Sequence, residues 1–459
     1  MRTAAFILLA ASAAAQVRLP PATRQTTPTG AVIVMAPKSD VPLMTLQMVF
    51  RGGAEADPPG LAGLSSVTAE LIRRGTASRT ADQIAEQLDF LGANVNTFSD
   101  QQSLRISVDC MSKDLDRVLE ILTDVVSHPA FPESEVKKVL AQRIDASKAS
   151  KDNPGAAINS YFRPFFFPAA HPYHAVADEI SLAKIGREKI TAFYNQAFVG
   201  RNLILIATGD FQPVAAGPKL AALAGALRSG DAYSWKQAPA APQFKNPRLL
   251  LVDKPDATQT YFLIGQPGVD HNHPDRVPLQ IVNTLFGGRF TSMLNDELRV
   301  NSGLTYGARS YFERDRLPGA VVISTYTKTE STEKAIDLAL DVLKRLNEKG
   351  LSAEQLASAK AYIKGGFPTE RLETAGQVAA TLAELELFGQ TKGEIDDLFA
   401  RIDAVSLEQA NAIARKYYRL ENLQFVLIGN ASKIQQTVQK YAPAATKVVP
   451  VKQPGFETN

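Results

Sequence analysis

The chain is written twice, and that repeat constrains its fold more than any other feature. Residues 190–211 (ITAFYNQAFVGRNLILIATGDF) align without a gap on residues 410–431 (ANAIARKYYRLENLQFVLIGNA), an interval of about 220 residues. Asn202 falls on Asn422, Leu203 on Leu423 and Gly209 on Gly429. Each copy reads as an amphipathic helix, a turn and a buried strand that stops at glycine. A second pair shares the offset: residues 115–122 (LDRVLEIL) match residues 336–343 (IDLALDVL), both apolar at helical spacing. After each comes a helix start, Phe131-Pro-Glu-Ser-Glu135 in one and Leu351-Ser-Ala-Glu-Gln355 in the other. A chain with two such agreements must build two like domains.

The boundary is expected at residues 231–245 (DAYSWKQAPAAPQFK), where Pro239 and Pro242 break regular structure and the alanines offer little to bury. This leaves one domain over 16–230, a second over 246–445 and a tail over 446–459. In the first domain residues 43–50 read as a strand, 81–91 as a helix, and 93–97 with 103–109 as a strand pair. Residues 259–265 and 320–326 are the matching strands of the second. Short turns between neighbouring strands, with helices in blocks, predict an α+β fold with helices on one face of each sheet.

The 459 residues exceed one ordinary core, and the apolar and charged fractions of 45% and 21% are those of a globular protein. A net charge of +3 without a long basic run argues against a nucleic-acid groove. The single Cys110 excludes an intrachain disulfide and a cysteine-built zinc site, and its alternating context (LRISVDC) predicts a buried strand position. Residues 1–15 have the form of a signal peptide: Arg2, an apolar run over 3–10, and Ala13-Ala14-Ala15 before Gln16. The apolar run is short of the roughly 20 residues that span a bilayer. Export to the periplasm, with cleavage of the signal, is the expectation.

Three segments then speak together. Residues 60–76 (GLAGLSSVTAELIRRGT) follow the strand exit Arg51-Gly-Gly-Ala-Glu-Ala-Asp57, and residues 298–306 (LRVNSGLTY) stand in the second half. With the duplication, they resemble the insulinase/pitrilysin zinc peptidases over residues 19–441, and most nearly the small two-domain bacterial members that work as pairs. The resemblance implies two homologous α/β-roll domains forming half of a clamshell. Active members carry His-x-x-Glu-His on one helix, with a distal glutamate as third ligand, because zinc polarises a water while a carboxylate takes its proton. Here no histidine precedes His128. Registered on Arg74-Gly75-Thr76, the motif positions hold Ser66-Val67-Thr68-Ala69-Glu70; registered on Gly60-Leu61-Ala62, they hold Gly63-Leu64-Ser65-Ser66-Val67. The distal window, Val139 to Arg143, has no carboxylate, and Asp145 is the nearest one downstream. The expectation is no metal on this chain.

Arg299 and Tyr306 are the positive signal. Residues 290–299 read as a helix, 301–303 as its stop and 304–312 as a strand, so that Arg299 ends a helix and Tyr306 projects from the strand. In the family such a pair grips the carbonyl beside the scissile bond, and a guanidinium and a phenol suit an oxygen gaining negative charge. An arginine complementing a helix dipole and a tyrosine packing on a strand are the plainer alternatives.

Other features receive duller readings. His171 with His174, and His271 with His273, could in principle chelate a metal, but their Pro-rich surroundings predict exposed loop histidines. Residues 162–167 (FRPFFF) are expected in the core. Gly287-Gly288-Arg289 lacks the Lys-Ser/Thr ending of a phosphate loop. No Gly-x-Ser-x-Gly elbow is present. The resemblance therefore implies the zinc-free subunit of a heterodimeric periplasmic peptidase. A homologous His-x-x-Glu-His partner would bring the zinc, and unfolded peptides would be the substrates. The alternative is a structural or peptide-binding protein in which Arg299 and Tyr306 have no catalytic use, as in non-catalytic core subunits of mitochondrial complexes built on this fold.

Overall fold

The computed structural model describes residues 17–237 and 241–458; the signal reading of residues 1–15 and the break at Pro239 lie outside the described residues. The repeat becomes two six-stranded sheets. The first contains β1 (Thr23–Thr26), β2 (Val32–Pro37), β3 (Leu43–Arg51), β4 (Asn94–Ser99), β5 (Ser103–Met111) and β6 (Leu203–Gly209), in the order β1-β2-β6-β3-β5-β4. The second contains β7 (Arg248–Asp253), β8 (Gln259–Pro267), β9 (Ala308–Phe312), β10 (Ala320–Lys328), β11 (Gln424–Gly429) and β12 (Thr446–Pro450), in the order β12-β7-β11-β8-β10-β9. Five of the six strands correspond one to one: β2 with β6, and β7 with β11, are the parallel pairs among them, and the rest are antiparallel. Only the outer strand differs, since β1 runs antiparallel to β2 whereas β12 runs parallel to β7. Residues 446–450, expected in a tail, are thus part of the second sheet.

The repeated glycines explain themselves. A Cβ on Gly209 would lie 2.2 Å from the Leu43 carbonyl oxygen, and one on Gly429 would lie 2.7 Å from the Thr260 hydroxyl. Each closes a central strand against the next strand of its sheet, so a side chain is excluded twice over.

Every residue of β6 and of β11 is buried. Strands with no exposed face need cover on both sides, and here the expectation of helices on one face is corrected. One face of each sheet is packed by helices of its own half, such as Leu115–Ser127 in the first and Thr332–Lys349 in the second. The other face is covered by a helix from the opposite half. Pro154–Phe166, started by Pro154 and capped by Asn153, lays Ile158, Tyr161, Phe162 and Phe166 against Leu250, Leu263 and Val426 of the second sheet. Ala375–Leu387, which begins with a Thr374/Gln377 capping box, lays Val378, Ala379 and Leu382 against Val34, Val49 and Ile204 of the first. The Thr208 hydroxyl donates to the Ala375 carbonyl at 2.7 Å and ties that helix to β6. The two halves are interlocked rather than merely adjacent.

Further ties join them. Val451 and Phe456 pack into the same core as the Pro154–Phe166 helix, and the Tyr161 hydroxyl donates to the Val451 carbonyl. Lys151 donates to the Gln453 carbonyl and pairs at 2.6 Å with Glu179, which also accepts from the Gly455 amide. Burial pushes the Glu179 carboxyl up, but the bonds from Lys151 and Gly455 outweigh it and hold its pKa down at about 2. The segment read as a linker is itself anchored: Tyr233 donates its amide to Asn202 and its hydroxyl to the Glu55 carbonyl. The Trp235 ring lies under Arg316, which pairs with the fully buried Glu55 side chain. As expected, Cys110 is buried on β5, where burial raises its thiol pKa to about 11, and the phenylalanine run is core.

Candidate functional site

The segment that should carry the metal motif folds as the helix Leu64–Leu71. Its start is fixed by Asp57, whose carboxylate accepts from the amides of Gly63 and Ser65 at 2.8 and 2.7 Å. Burial lifts the Asp57 pKa to about 7 against the pull of those amides. Gly63 caps the helix in the left-handed region at φ 96°, so a motif beginning there would not lie on one helical face. The register Ser66 to Glu70 lies wholly within the helix. Val67, Thr68 and Ala69 are buried, and only Ser66 and Glu70, one turn apart, reach the partly exposed face.

Glu70 is already claimed. Arg143, from the helix Glu133–Ser150, approaches one of its carboxylate oxygens with Nε at 2.8 Å and Nη2 at 2.7 Å. Arg74 donates to the other oxygen at 3.2 Å. Ser66 turns its hydroxyl back to the Gly63 carbonyl, and Asp145 is exposed farther along the second helix. A catalytic zinc needs three protein ligands with nitrogen, sulfur or carboxylate donors. The helix offers one carboxylate, and a guanidinium stands against it. These residues do not fit a zinc ion: a cation there would displace Arg143 and lack two ligands. Among the described residues no three His, Cys, Asp or Glu side chains come together in a metal-binding arrangement. Arg143 lies in the window where the distal glutamate was sought. Sequence showed the missing acid but not that a base had taken its place.

The histidine pairs correct an expectation. His171, His174 and His271 are buried, not exposed. His171 stacks on Phe167, His174 bonds the Phe167 carbonyl and the Glu457 carboxylate, and His271 stacks on Phe388 with ring centroids 3.8 Å apart. Burial lowers the His171 pKa to about 4 and that of His271 below the ordinary histidine value. They are packing residues.

Arg299 and Tyr306 lie where chemistry is accessible, though their local structure differs from expectation. The short helix Met293–Asn295 widens into a π-helical turn, Asp296–Asn301, which carries Arg299. Tyr306 sits in the turn before β9, which begins only at Ala308, and is 79% exposed. Arg299 lies over the Phe290 ring at 4.8 Å. Among the described residues neither the guanidinium nor the phenol has a hydrogen-bond or ion-pair partner, whereas most arginines around the core are paired. Arg299 lines a groove of about 580 Å³ that passes over the edge of β9, between the glycine-rich turn 287–290 and the start of the Pro154–Phe166 helix.

Comparison with known proteins agrees with this architecture. The family model described as "Insulinase (Peptidase family M16)" matches residues 32–159, and the model described as "Peptidase M16 inactive domain" matches residues 184–363. Together they cover more than half of the chain, which belongs to the insulinase (M16) peptidase family. Among relatives, the uncharacterized zinc protease YmxG of Bacillus subtilis is 21% identical over 396 residues, 86% of this chain and 95% of that protein. The non-peptidase homolog YmxG of Helicobacter pylori is 22% identical over 397 residues, 86% of this chain and 90% of that protein. The crystal structure of a peptidase M16 inactive domain from Pseudomonas fluorescens superposes with a TM-score of 0.83 at 23% identity, covering 89% of this chain and 98% of that one. A protease structure from Helicobacter pylori gives 0.81 at 17% identity, covering 90% and 100%. The chain is a degenerate member of the family, peptidase-like in fold and without the zinc motif.

Proposed function

We propose that this chain is the zinc-free subunit of a heterodimeric periplasmic peptidase and does not hydrolyse peptides by itself. A homologous subunit with His-x-x-Glu-His would hold zinc and the catalytic water. This chain closes the chamber and contributes Arg299 and Tyr306 to orient the scissile carbonyl of an unfolded peptide. The observation that carries the reading is a contrast between two sites on one chain. At the motif helix the only ligand-type side chain is neutralised by Arg143 and Arg74, while Arg299 and Tyr306 are exposed and, among the described residues, unpaired, with Arg299 lining a groove. A guanidinium held without a counter-ion is a donor in waiting for a developing oxyanion.

The test compares cleavage of quenched peptides, with zinc present, by this chain, by a His-x-x-Glu-His homologue from the same source, and by the two mixed. Cleavage by the mixture alone supports the reading. Full activity of the homologue alone, unchanged by adding this chain, leaves a structural or peptide-binding role. Zinc-dependent cleavage by this chain alone contradicts the reading outright.

A further inference from the structure

The groove beside Arg299 carries more cationic charge than one carbonyl requires. Arg289 from the glycine-rich turn and Arg309 from β9 also line it, and no aspartate or glutamate does. Among the described residues none of the three arginines is in an ion pair. Arg289 donates to the Thr291 carbonyl and the Ser358 hydroxyl, Arg309 lies 5.7 Å from the Tyr311 ring centre, and Arg299 rests on Phe290. Other arginines of the chain are paired, as Arg24 with Glu386 and Arg79 with Glu120 and Asp124. Three arginines around one concavity without a counter-ion set up a positive potential that focuses anionic groups into it.

The backbone narrows the mode of binding. The outer edge of β9 would ordinarily accept another strand. Here the Ala308 amide donates to the Asn295 side chain at 3.2 Å, and the Ser310 carbonyl accepts from the Asn283 side chain at 2.9 Å. Gly287 abuts the same edge, where a Cβ would come 2.2 Å from the Ser310 amide nitrogen. With those groups occupied, a ligand in the groove is recognised by side chains rather than by strand addition. The side chains on offer are guanidinium forks, which match carboxylates.

We propose that this groove selects extended peptides bearing aspartate or glutamate near the carbonyl held by Arg299, with Arg289 and Arg309 as specificity-determining residues. The proposal rests on reading the groove as a peptide site, but binding to this chain alone tests it, independently of any cleavage or partner. The experiment measures the Kd of dye-labelled extended peptides of equal length by anisotropy, comparing a peptide with two glutamates against its double glutamine counterpart. Exposed arginine–carboxylate pairs are individually weak. The acidic peptide should therefore bind about tenfold more tightly through two contacts, and the advantage should collapse in about 1 M salt, where the Debye length is roughly 3 Å. Arg289→Gln and Arg309→Gln should each remove a few-fold of that preference. Arg309→Glu should shift it toward a lysine-bearing peptide. Both side chains are partly or fully exposed, so these variants should fold. Equal affinity for the two peptides, or a preference for acid unchanged in Arg289→Gln and in Arg309→Glu, would overturn the proposal whatever the peptidase assay gives.

Discussion

If the halves are interlocked, removing Phe162 should loosen both of them. Its ring is 2% exposed, stacks on Phe166 with centroids 5.0 Å apart, and belongs to the helix that the first half lends to the second sheet. Opposite it on β8 is Gly265, where a Cβ would come 2.5 Å from Phe162 Cζ. Truncating a buried phenylalanine to alanine typically destabilises by about 3–5 kcal/mol, and the stack and full burial put Phe162→Ala within that range. Gly265→Ala alone overpacks the same contact at a cost of about 1–3 kcal/mol. In the Phe162→Ala background the new methyl enters vacated space, so the cost should vanish or turn into a small gain. The two substitutions are coupled, and the cycle isolates their contact. Urea unfolding followed by far-UV circular dichroism and by the fluorescence of the only tryptophan, Trp235, measures all four proteins. Trp235 lies under Arg316, the residue that pairs with Glu55 across the halves, so its signal reports the junction. The two probes should move together to lower urea in Phe162→Ala. A loss below about 1 kcal/mol, or an equal Gly265→Ala penalty in both backgrounds, would refute the claim that this helix clamps the second sheet.

Three further outcomes follow. The Glu179 carboxyl is held at about 2 in the folded chain against an ordinary value of 4.5, so its stabilisation is fully present above pH 4.5 and is lost as pH falls through about 2. The stability gap between wild type and Glu179→Gln, measured by denaturant unfolding across pH, should therefore be constant near neutrality and shrink below 4.5; a gap unchanged down to pH 2 would contradict this. Asp57→Ala removes the carboxylate that caps the motif helix and should destabilise by about 1–2 kcal/mol in thermal or denaturant melts, whereas Asp57→Asn, which keeps one acceptor, should lose less. A double-mutant cycle on Glu70→Gln and Arg143→Met should give a coupling of only about 0.5–1 kcal/mol, since the Arg143 side chain is 43% exposed; additivity would mean that the pair does not form in solution.

How much of this was legible depended on whether the deciding partner was near in sequence. The repeat and the strands around Leu46, Cys110 and Leu263 could be read because alternation and helical spacing are local patterns. The exchange of helices could not. An amphipathic pattern over 154–166 says that a face is buried, but not that the covering sheet lies beyond the boundary, about 100 residues on. The histidines failed for the same reason. His271 sits among prolines and polar residues, yet Phe388, Gln390 and Glu384 close over it from the opposing helix region. At the motif helix the absence of histidine is plain from the residues alone, whereas the Glu70–Arg143 pair requires two helices to be brought together. Tyr306 was displaced from its expected strand because Gly303 and Gly307 extend the turn on both sides of it. In the sequence Arg289 stands out only as the end of a Gly-Gly turn without a phosphate-loop ending, and Arg309 not at all, because nothing local distinguishes an unpaired surface arginine from a paired one.

On the function proposed above, this chain lends Arg299 and Tyr306 to a zinc site held by a partner subunit. The most direct measurement is single-turnover cleavage by the assembled pair, with zinc content and assembly affinity determined on the same samples, for wild type, Arg299→Ala and Tyr306→Phe. Removing one donor to a developing oxyanion typically lowers the rate by about 10²–10³-fold. A loss of that order is expected for Arg299→Ala and a smaller one for Tyr306→Phe, with zinc and assembly unchanged. Wild-type rates in both variants would contradict it and leave the two side chains without a catalytic use.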